Sequence, residues 1–290
     1  MTSVLIPLAV AVPLSGCFVP SAFGQQTTAS EHFDEAPAEL DDLVVTASLE
    51  PVSINDVASS ITIISREQIE QKQVKYLADL LRDVPGFSVS QAGGVGAQTQ
   101  VRVRGAEANH MLVLVDGIRA NDPASADEYQ FQYATTANIE RIEIIRGPQS
   151  SIWGSDAMAG VINIIRSKDA RESWLSGSAE GGSFSSFDGA VDGGLSRENF
   201  RLQGGISYAT TNGINIARAG DEKDGSDNTT ANAGLEWDLG DAWTLVASGQ
   251  YVDAESQFDD VDFYVTGLPT DTDRETRAER TYLRGELRFK

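Results

Sequence analysis

The distribution of hydrophobic positions divides the chain into three regimes. The first is a single apolar run, Val4 to Val12, followed by the small-residue stretch Ala22-Phe23-Gly24. The run is too short for a membrane-spanning helix, which needs about 20 apolar residues. It has the length of a signal-peptide core, and the small residues suit a cleavage point, so residues 1–24 are expected to direct export and to be removed. No basic leader precedes the run, since the first Lys or Arg is Arg66; the expected start therefore lies further upstream. Leu14-Ser15-Gly16-Cys17 offers a rival route, because it resembles a lipoprotein-processing box.

The second regime is irregular and then mixed. Gln25 to Glu39 is polar, acidic and without period, the composition of a flexible arm. Within residues 25–51 one short β-prone segment, Asp41 to Ala47, stands alone with no neighbouring strand in the pattern. It reads either as an edge strand of the following domain or as an extended peptide that adds a strand to another protein's sheet. Over residues 52–170 strand and helix signals alternate. Ser60–Ser65 reads as a strand, and Ser65 with Gln68 forms a capping box that starts a polar, exposed helix over 66–71. A second helix over 76–82 stops before Val84-Pro85-Gly86. Strands are expected at 87–91, 99–104, 111–115, 141–146 and 161–166, with Asp116-Gly117 and Gly147-Pro148 as turns. The fold class of this part is a small α+β domain.

The third regime, residues 171–290, is strictly two-periodic. Phe200, Leu202, Gly204, Ile206 and Tyr208 alternate with Arg201, Gln203, Gly205 and Ser207. Ala231, Ala233, Leu235 and Trp237 repeat the pattern, as do Trp243, Leu245, Ala247 and Tyr251, and Leu283, Leu287 and Phe289. Six such strands can be counted, with aromatic residues near their ends. Connections alternate between short (196–199, 240–242) and long and acidic (211–228, 255–276). That asymmetry, the aromatic placement and the export signal predict strands of an antiparallel transmembrane β-barrel. The alternative, a secreted or lipid-anchored soluble sandwich acting as a binding protein, shares the two-residue period.

Composition sharpens the exclusions. With 43 acidic against 22 basic residues the net charge is -21, the wrong sign for a nucleic-acid binder. A single Cys, Cys17, allows no intramolecular disulfide framework or multi-Cys metal site. Gly94-Val95-Gly96-Ala97-Gln98-Thr99 lacks the third Gly of a dinucleotide loop, and His32 and His110 are poorly placed for a triad or a zinc site. No enzyme reading survives.

Several segments together resemble the TonB-dependent outer-membrane receptors, a plug domain followed by barrel strands. Asp42-Leu43-Val44-Val45-Thr46-Ala47 resembles the TonB box. Val101-Arg102-Val103-Arg104-Gly105 and Val113-Leu114-Val115-Asp116-Gly117 resemble plug core motifs. Ile142 to Pro148, Trp153 to Ala157 and Gly160 to Ile165 resemble the final plug segment. Within the family the similarity is to the cobalamin-importing members, through Ser90 to Gly96, Ala108 to Arg119 and Trp153 to Asp156.

The resemblance implies import of a scarce nutrient across the outer membrane, with lipid around the barrel and the inner-membrane energy transducer TonB as periplasmic partner. Cobalamin or a related corrinoid is the expected cargo, with a ferric siderophore or haem as the alternative. The β-branched Val44, Val45 and Thr46 suit strand addition to TonB. The outward plug loops at 92–99 and 120–129 are expected to touch cargo, through Ala92, Gln98, Thr99, Asn121 and Asp122. Ala92 stands where cobalamin receptors carry a polar Asn, and Asn121-Asp122-Pro123 also departs from the family pattern. Arg102 and Arg104 are expected on one strand face, meeting barrel carboxylates, with Gly105 and Arg146 as further plug-core or barrel contacts. No cofactor is required, but the density of carboxylates in the long loops suits Ca²⁺, which cobalamin receptors hold there. Asp224, Asp227, Asp259 and Asp262 are the candidates, although EF-hand spacing is not met. Plugged barrels close with about 22 strands, so six strands are expected to be the opening part of one.

Overall fold

A computed structural model describes residues 43–44, 52–53, 59–166, 172–217, 222–262 and 264–289, all within one compact unit, Leu40–Lys290. The expected signal peptide lies outside the described residues, as do Asp42, Val45, Thr46 and Ala47 of the suspected docking segment. Strand β1 (Leu43–Val44) pairs antiparallel with β2 (Val52–Ser53), Leu43 opposite Ser53 and Val44 opposite Val52. The segment therefore does not stand alone: the chain itself supplies the partner strand that the pattern of alternation was too short to reveal.

The α+β domain is built on a five-stranded sheet in the order β3-β8-β9-β6-β7, formed by β3 (Ser60–Ser65), β6 (Met111–Val115), β7 (Ile118–Arg119), β8 (Arg141–Arg146) and β9 (Gly160–Ile165). Only the β6–β9 pair is parallel. β6 reads Met-Leu-Val-Leu-Val and is buried at every position, because both of its faces are covered. Met111, Val113 and Val115 join the main core with Leu77, Leu80 and Leu81, while Leu112 and Leu114 pack on Ala157, Val161 and Trp153. A hairpin of β4 (Phe87–Gln91) and β5 (Thr99–Val103) lies apart from the sheet in hydrogen bonding.

Helix α1 (Arg66–Lys72) starts from the expected capping box, with the Ser65 side chain accepting from the Gln68 backbone and the Gln68 side chain accepting from Ser65 N–H. It is not wholly exposed as expected, since Ile69 is buried in the main core. Helix α2 (Leu77–Arg82) buries Leu77, Ala78, Leu80 and Leu81. A short α3 (Ser150–Trp153) precedes β9.

Strands β10 (Trp174–Gly181), β11 (Phe187–Ser196), β12 (Phe200–Thr211), β13 (Ser226–Asp238), β14 (Trp243–Val261) and β15 (Pro269–Phe289) form one antiparallel sheet in chain order. This is the six-stranded wall the two-residue period predicts, with a bulge where β14 turns between Phe258 and Asp260. The pleat sorts its faces. Leu175, Val191, Leu202, Ile206, Leu283 and Leu287 stand exposed on one. Asp192, Ser207, Asn228, Thr230, Gln250 and Ser256 are buried on the other, against the α+β domain. An apolar outside over a polar inside is the arrangement of a membrane barrel and the inverse of a soluble sandwich core. Among the described residues no helix is long and apolar enough to cross a membrane.

Candidate functional site

A cavity of about 680 Å³ opens where the β4–β5 connection and residues 124–133 face β14 and β15. The first loop is closed locally, with Ala92 N–H donating to Gln98 O at 3.0 Å and Ala97 N–H to Gly94 O at 3.2 Å. Its tip is Gly96, at φ +83°, where an added Cβ would lie 2.6 Å from both Ser226 Oγ and Ser256 Cβ. Only glycine lets the backbone come that close to the wall, and Ser256 Oγ uses the approach to donate to Gly96 O at 3.0 Å. Sequence reasoning placed Ala92, Gln98 and Thr99 at this site, and all three line the cavity.

Asn121 and Asp122 are not among the lining residues and make contacts within the domain. Asn121 is buried; its side chain accepts from Val113 N–H at 2.8 Å and donates to Met111 O and Asp127 O. It is a fastener between β6 and the following loop. The Asp122 carboxylate caps the 3₁₀ turn Pro123–Ser125 through Ala124 N–H at 2.9 Å and accepts from Gln130 and Arg280. Polar loop residues look alike in sequence whether they face a ligand or their own backbone, so the signal that separates them is geometric.

The lining is rich in amides and hydroxyls, with Gln98, Gln130, Gln132, Thr99 and Ser125 from the domain and Ser256 and Thr276 from the wall. Glu128, Asp259 and Asp260 add carboxylates, and no Lys or Arg is among the described lining residues. Glu128 accepts twice from Gln100 Nε2, at 3.0 and 2.9 Å, which fixes its position without neutralising it. Burial holds the Tyr129 hydroxyl well above the usual tyrosine range, so it meets the cavity as a neutral group.

Arg102 and Arg104 do not share a strand face. β5 ends at Val103, and Arg104 has a left-handed φ of 51° before Gly105 at φ +78°. Arg102 bonds Ser90 and Gln100 and ion-pairs Glu107 at 3.6 Å. Arg146 donates to Pro85 O and Thr62 Oγ1. The described partners of Arg102 and Arg146 lie inside the α+β domain rather than on the wall.

The carboxylate candidates also rearrange. Asp224 and Asp259 converge with Glu222, one oxygen from each lying within 4.8 Å of the others. Glu222 was passed over in the sequence, although residues two apart in an extended segment share a side, so its pairing with Asp224 was legible. Glu222 Oε2 and Asp224 Oδ1 are buried atoms without a hydrogen-bond partner. Burial, and after it the neighbouring carboxylates, push both acids above their ordinary pKa. Asp227 instead accepts from Tyr208 Oη on the outer face, and Asp262 caps the 264–266 turn through Tyr264 and Val265 N–H.

An α+β domain seated against the polar face of an up-and-down β wall, with its loops at one rim around a cavity, is the arrangement of a plugged outer-membrane receptor. Residues 53–161 match the TonB-dependent receptor plug domain family. The chain thus carries the plug domain of the TonB-dependent receptors, a family of transporters and receptors rather than of enzymes. It is 35% identical over 237 residues to the vitamin B12 transporter BtuB of Photobacterium profundum, a match covering 80% of this chain and 38% of that protein. The chain thus spans about two fifths of the length of that curated relative. The ferripyoverdine receptor FpvA of Pseudomonas aeruginosa superposes with a TM-score of 0.66 at 17% identity, over 84% of this chain and 33% of that one. The ferric-catecholate import receptor Fiu of E. coli K12 gives 0.57 at 23%, over 74% and 30%. These structures share the fold.

Proposed function

We propose that the chain forms the plug and opening barrel strands of a TonB-dependent importer in the outer membrane whose cargo is cobalamin or a related corrinoid. The observation that carries the reading is the cavity lining, made of amides, hydroxyls and the carboxylates Glu128, Asp259 and Asp260, with no cation among them. A corrin ring carries a rim of carboxamides, which pair with such groups, whereas an anionic ferric siderophore calls for Lys or Arg. No His, Cys or Met, the commoner axial ligands of haem, lines the cavity among the described residues. The likeness to a protein named as a vitamin B12 transporter points the same way.

The cycle derived from these residues begins with cargo settling between residues 92–99, residues 124–133 and β14. TonB then takes residues 42–47 as an added strand and pulls from the periplasm, and the plug yields along its seam with the wall. Export through an N-terminal signal belongs to the same reading. Ca²⁺, held by Glu222, Asp224 and Asp259, would neutralise three converging carboxylates at the rim and satisfy the orphaned oxygens of the first two.

Equilibrium binding to outer-membrane preparations from cells expressing the complete reading frame tests the cargo. Saturable binding of cyanocobalamin, with anionic ferric catecholates and haem failing to compete, is the expected result. Competition by a ferric siderophore with no corrinoid binding would replace this reading with the siderophore alternative.

A further inference from the structure

The wall and the plug meet along β15 through alternate residues. Arg280, Tyr282 and Arg284 all point inward, as their spacing requires. Tyr282 Oη donates to Ala120 O at 3.4 Å, and Arg284 Nη1 donates to Asp116 O at 2.7 Å. Beside Arg284 the chain needs Gly117, where an added Cβ would lie 3.0 Å from Arg284 Nη1. The third tooth, Arg280, reaches the plug carboxylate of Asp122 at 3.2 Å. The two side chains are largely shielded, 16% and 25% exposed, which spares the pair the screening that weakens a surface salt bridge.

Both partners also touch the floor of the cavity. Asp122 Oδ2 accepts from Gln130 Nε2 at 3.1 Å and from Ser125 Oγ at 3.3 Å, and both donors line the cavity. Arg280 lies over the Tyr133 ring, 5.5 Å from its centroid, and Tyr133 lines the cavity too. Tyr133 is packed in turn on Val252, Ala254 and Ala278 of the wall, and its carbonyl accepts from Asn228 Nδ2 at 3.0 Å. One ion pair therefore orients Ser125 and Gln130 from one side and Tyr133 from the other, while tying residues 116–133 to β15.

We propose that Asp122 and Arg280 form a latch that sets the cargo-contacting floor and fastens it to the barrel wall, making both positioning residues for binding and for plug release. The binding half of this proposal rests on the reading of the cavity as the cargo site. Cargo that draws Gln130 or Ser125 away from Asp122 leaves its carboxylate with fewer donors and so alters the hold of Arg280. The latch is a physical link between the cavity and the seam.

Hydrogen exchange over residues 116–133 in cargo-free outer-membrane preparations tests the latch. Arg280→Gln removes the charge from the wall and leaves the Ala124 cap of Asp122 in place. It is expected to speed exchange in this segment by about tenfold, the worth of a shielded charged hydrogen bond. Arg280→Lys should restore most of the protection, which simple loss of packing would not allow. Asp122→Asn combined with Arg280→Gln should exceed the larger single effect by little, because the two act through one bond. Cyanocobalamin affinity should fall in parallel. Unchanged exchange in Arg280→Gln, or fully additive effects in the double variant, would overturn the latch. Absence of cyanocobalamin binding in the unaltered receptor would sink the cargo reading alone, since the exchange result is read without cargo.

Discussion

Tyr76 shows how a single side chain records the seam between plug and wall. It precedes α2, bridges to Thr135, and is half-buried near Asp188 of β11. Burial first, then the charges of Asp188 and Asp79, push its hydroxyl up to about 12. The folded state therefore holds a proton that the unfolded chain releases near its ordinary value of 10. Stability from this group is complete below pH 10 and is lost as the pH rises from there toward 12. Tyr76→Phe is expected to flatten the alkaline decline of the denaturation midpoint by close to one proton; an equal slope in the variant would show that Tyr76 is not the group responsible. At this scale the sequence was legible where one residue type has one use, as with the Ser65 capping box or glycines in tight turns. It was not legible where a polar side chain has several. Asn121 and Asp122 looked like ligand contacts because nothing in their identity says that they turn back onto Met111, Val113 and Ala124.

Elements were read more reliably than their ends. The period of two gave the count of six wall strands, and the period together with its turns located six of the plug's strands to within a residue, because burial on one face leaves a mark at every second position. The ends depend on single φ values, so β5 stops at Val103, one residue before the expected Arg104. The β1–β2 pair escaped detection because two residues on each side carry no period. It also bears on the proposed docking of TonB, since strand addition at the edge of β1 that faces β2 would compete with Val52–Ser53 for the same backbone groups. Val44→Pro removes an N–H from any such ladder. Uptake of cargo should fall to background while binding at the cell surface remains unchanged; transport at the normal rate would rule out docking through this segment.

For the molecule as a whole, the two-faced wall was foreseeable and the seam was not. Alternation announces that one face is polar, but not that Ser256 would meet Gly96, or that Arg66 would reach Asp192 at 3.3 Å and Glu140 at 3.4 Å. Such contacts join positions far apart in the chain, and pairing at that range leaves no local pattern. The acidic rim is of this kind, bringing Glu222 and Asp224 of one loop to Asp259 of β14. Calorimetric titration with CaCl₂ is expected to show one saturable site, weakened at least about tenfold by Asp224→Asn through loss of a charged ligand. Binding that is unaltered in the variant would place the ion elsewhere, and no heat at all would leave the cluster as repelling acids.

The strands of the wall lengthen in chain order, from 8, 10, 12 and 13 residues to 19 and 21. At roughly 3.3 Å per residue the first measures about 26 Å and the last about 69 Å along its axis. The register places the extra length at one end, beyond Ser256, where β15 is the strand paired with β14 among the described residues. That tall hairpin backs the cavity with Phe258, Asp259, Asp260 and Val261. Along this arc the rim is a ramp, and arrival is anisotropic. A molecule descending over β10 would cross the shortest strand of this arc, while one coming over β15 would meet the tall ribbon first. Direction of approach, as much as fit, would then bias encounters along this arc before any contact with the floor is made.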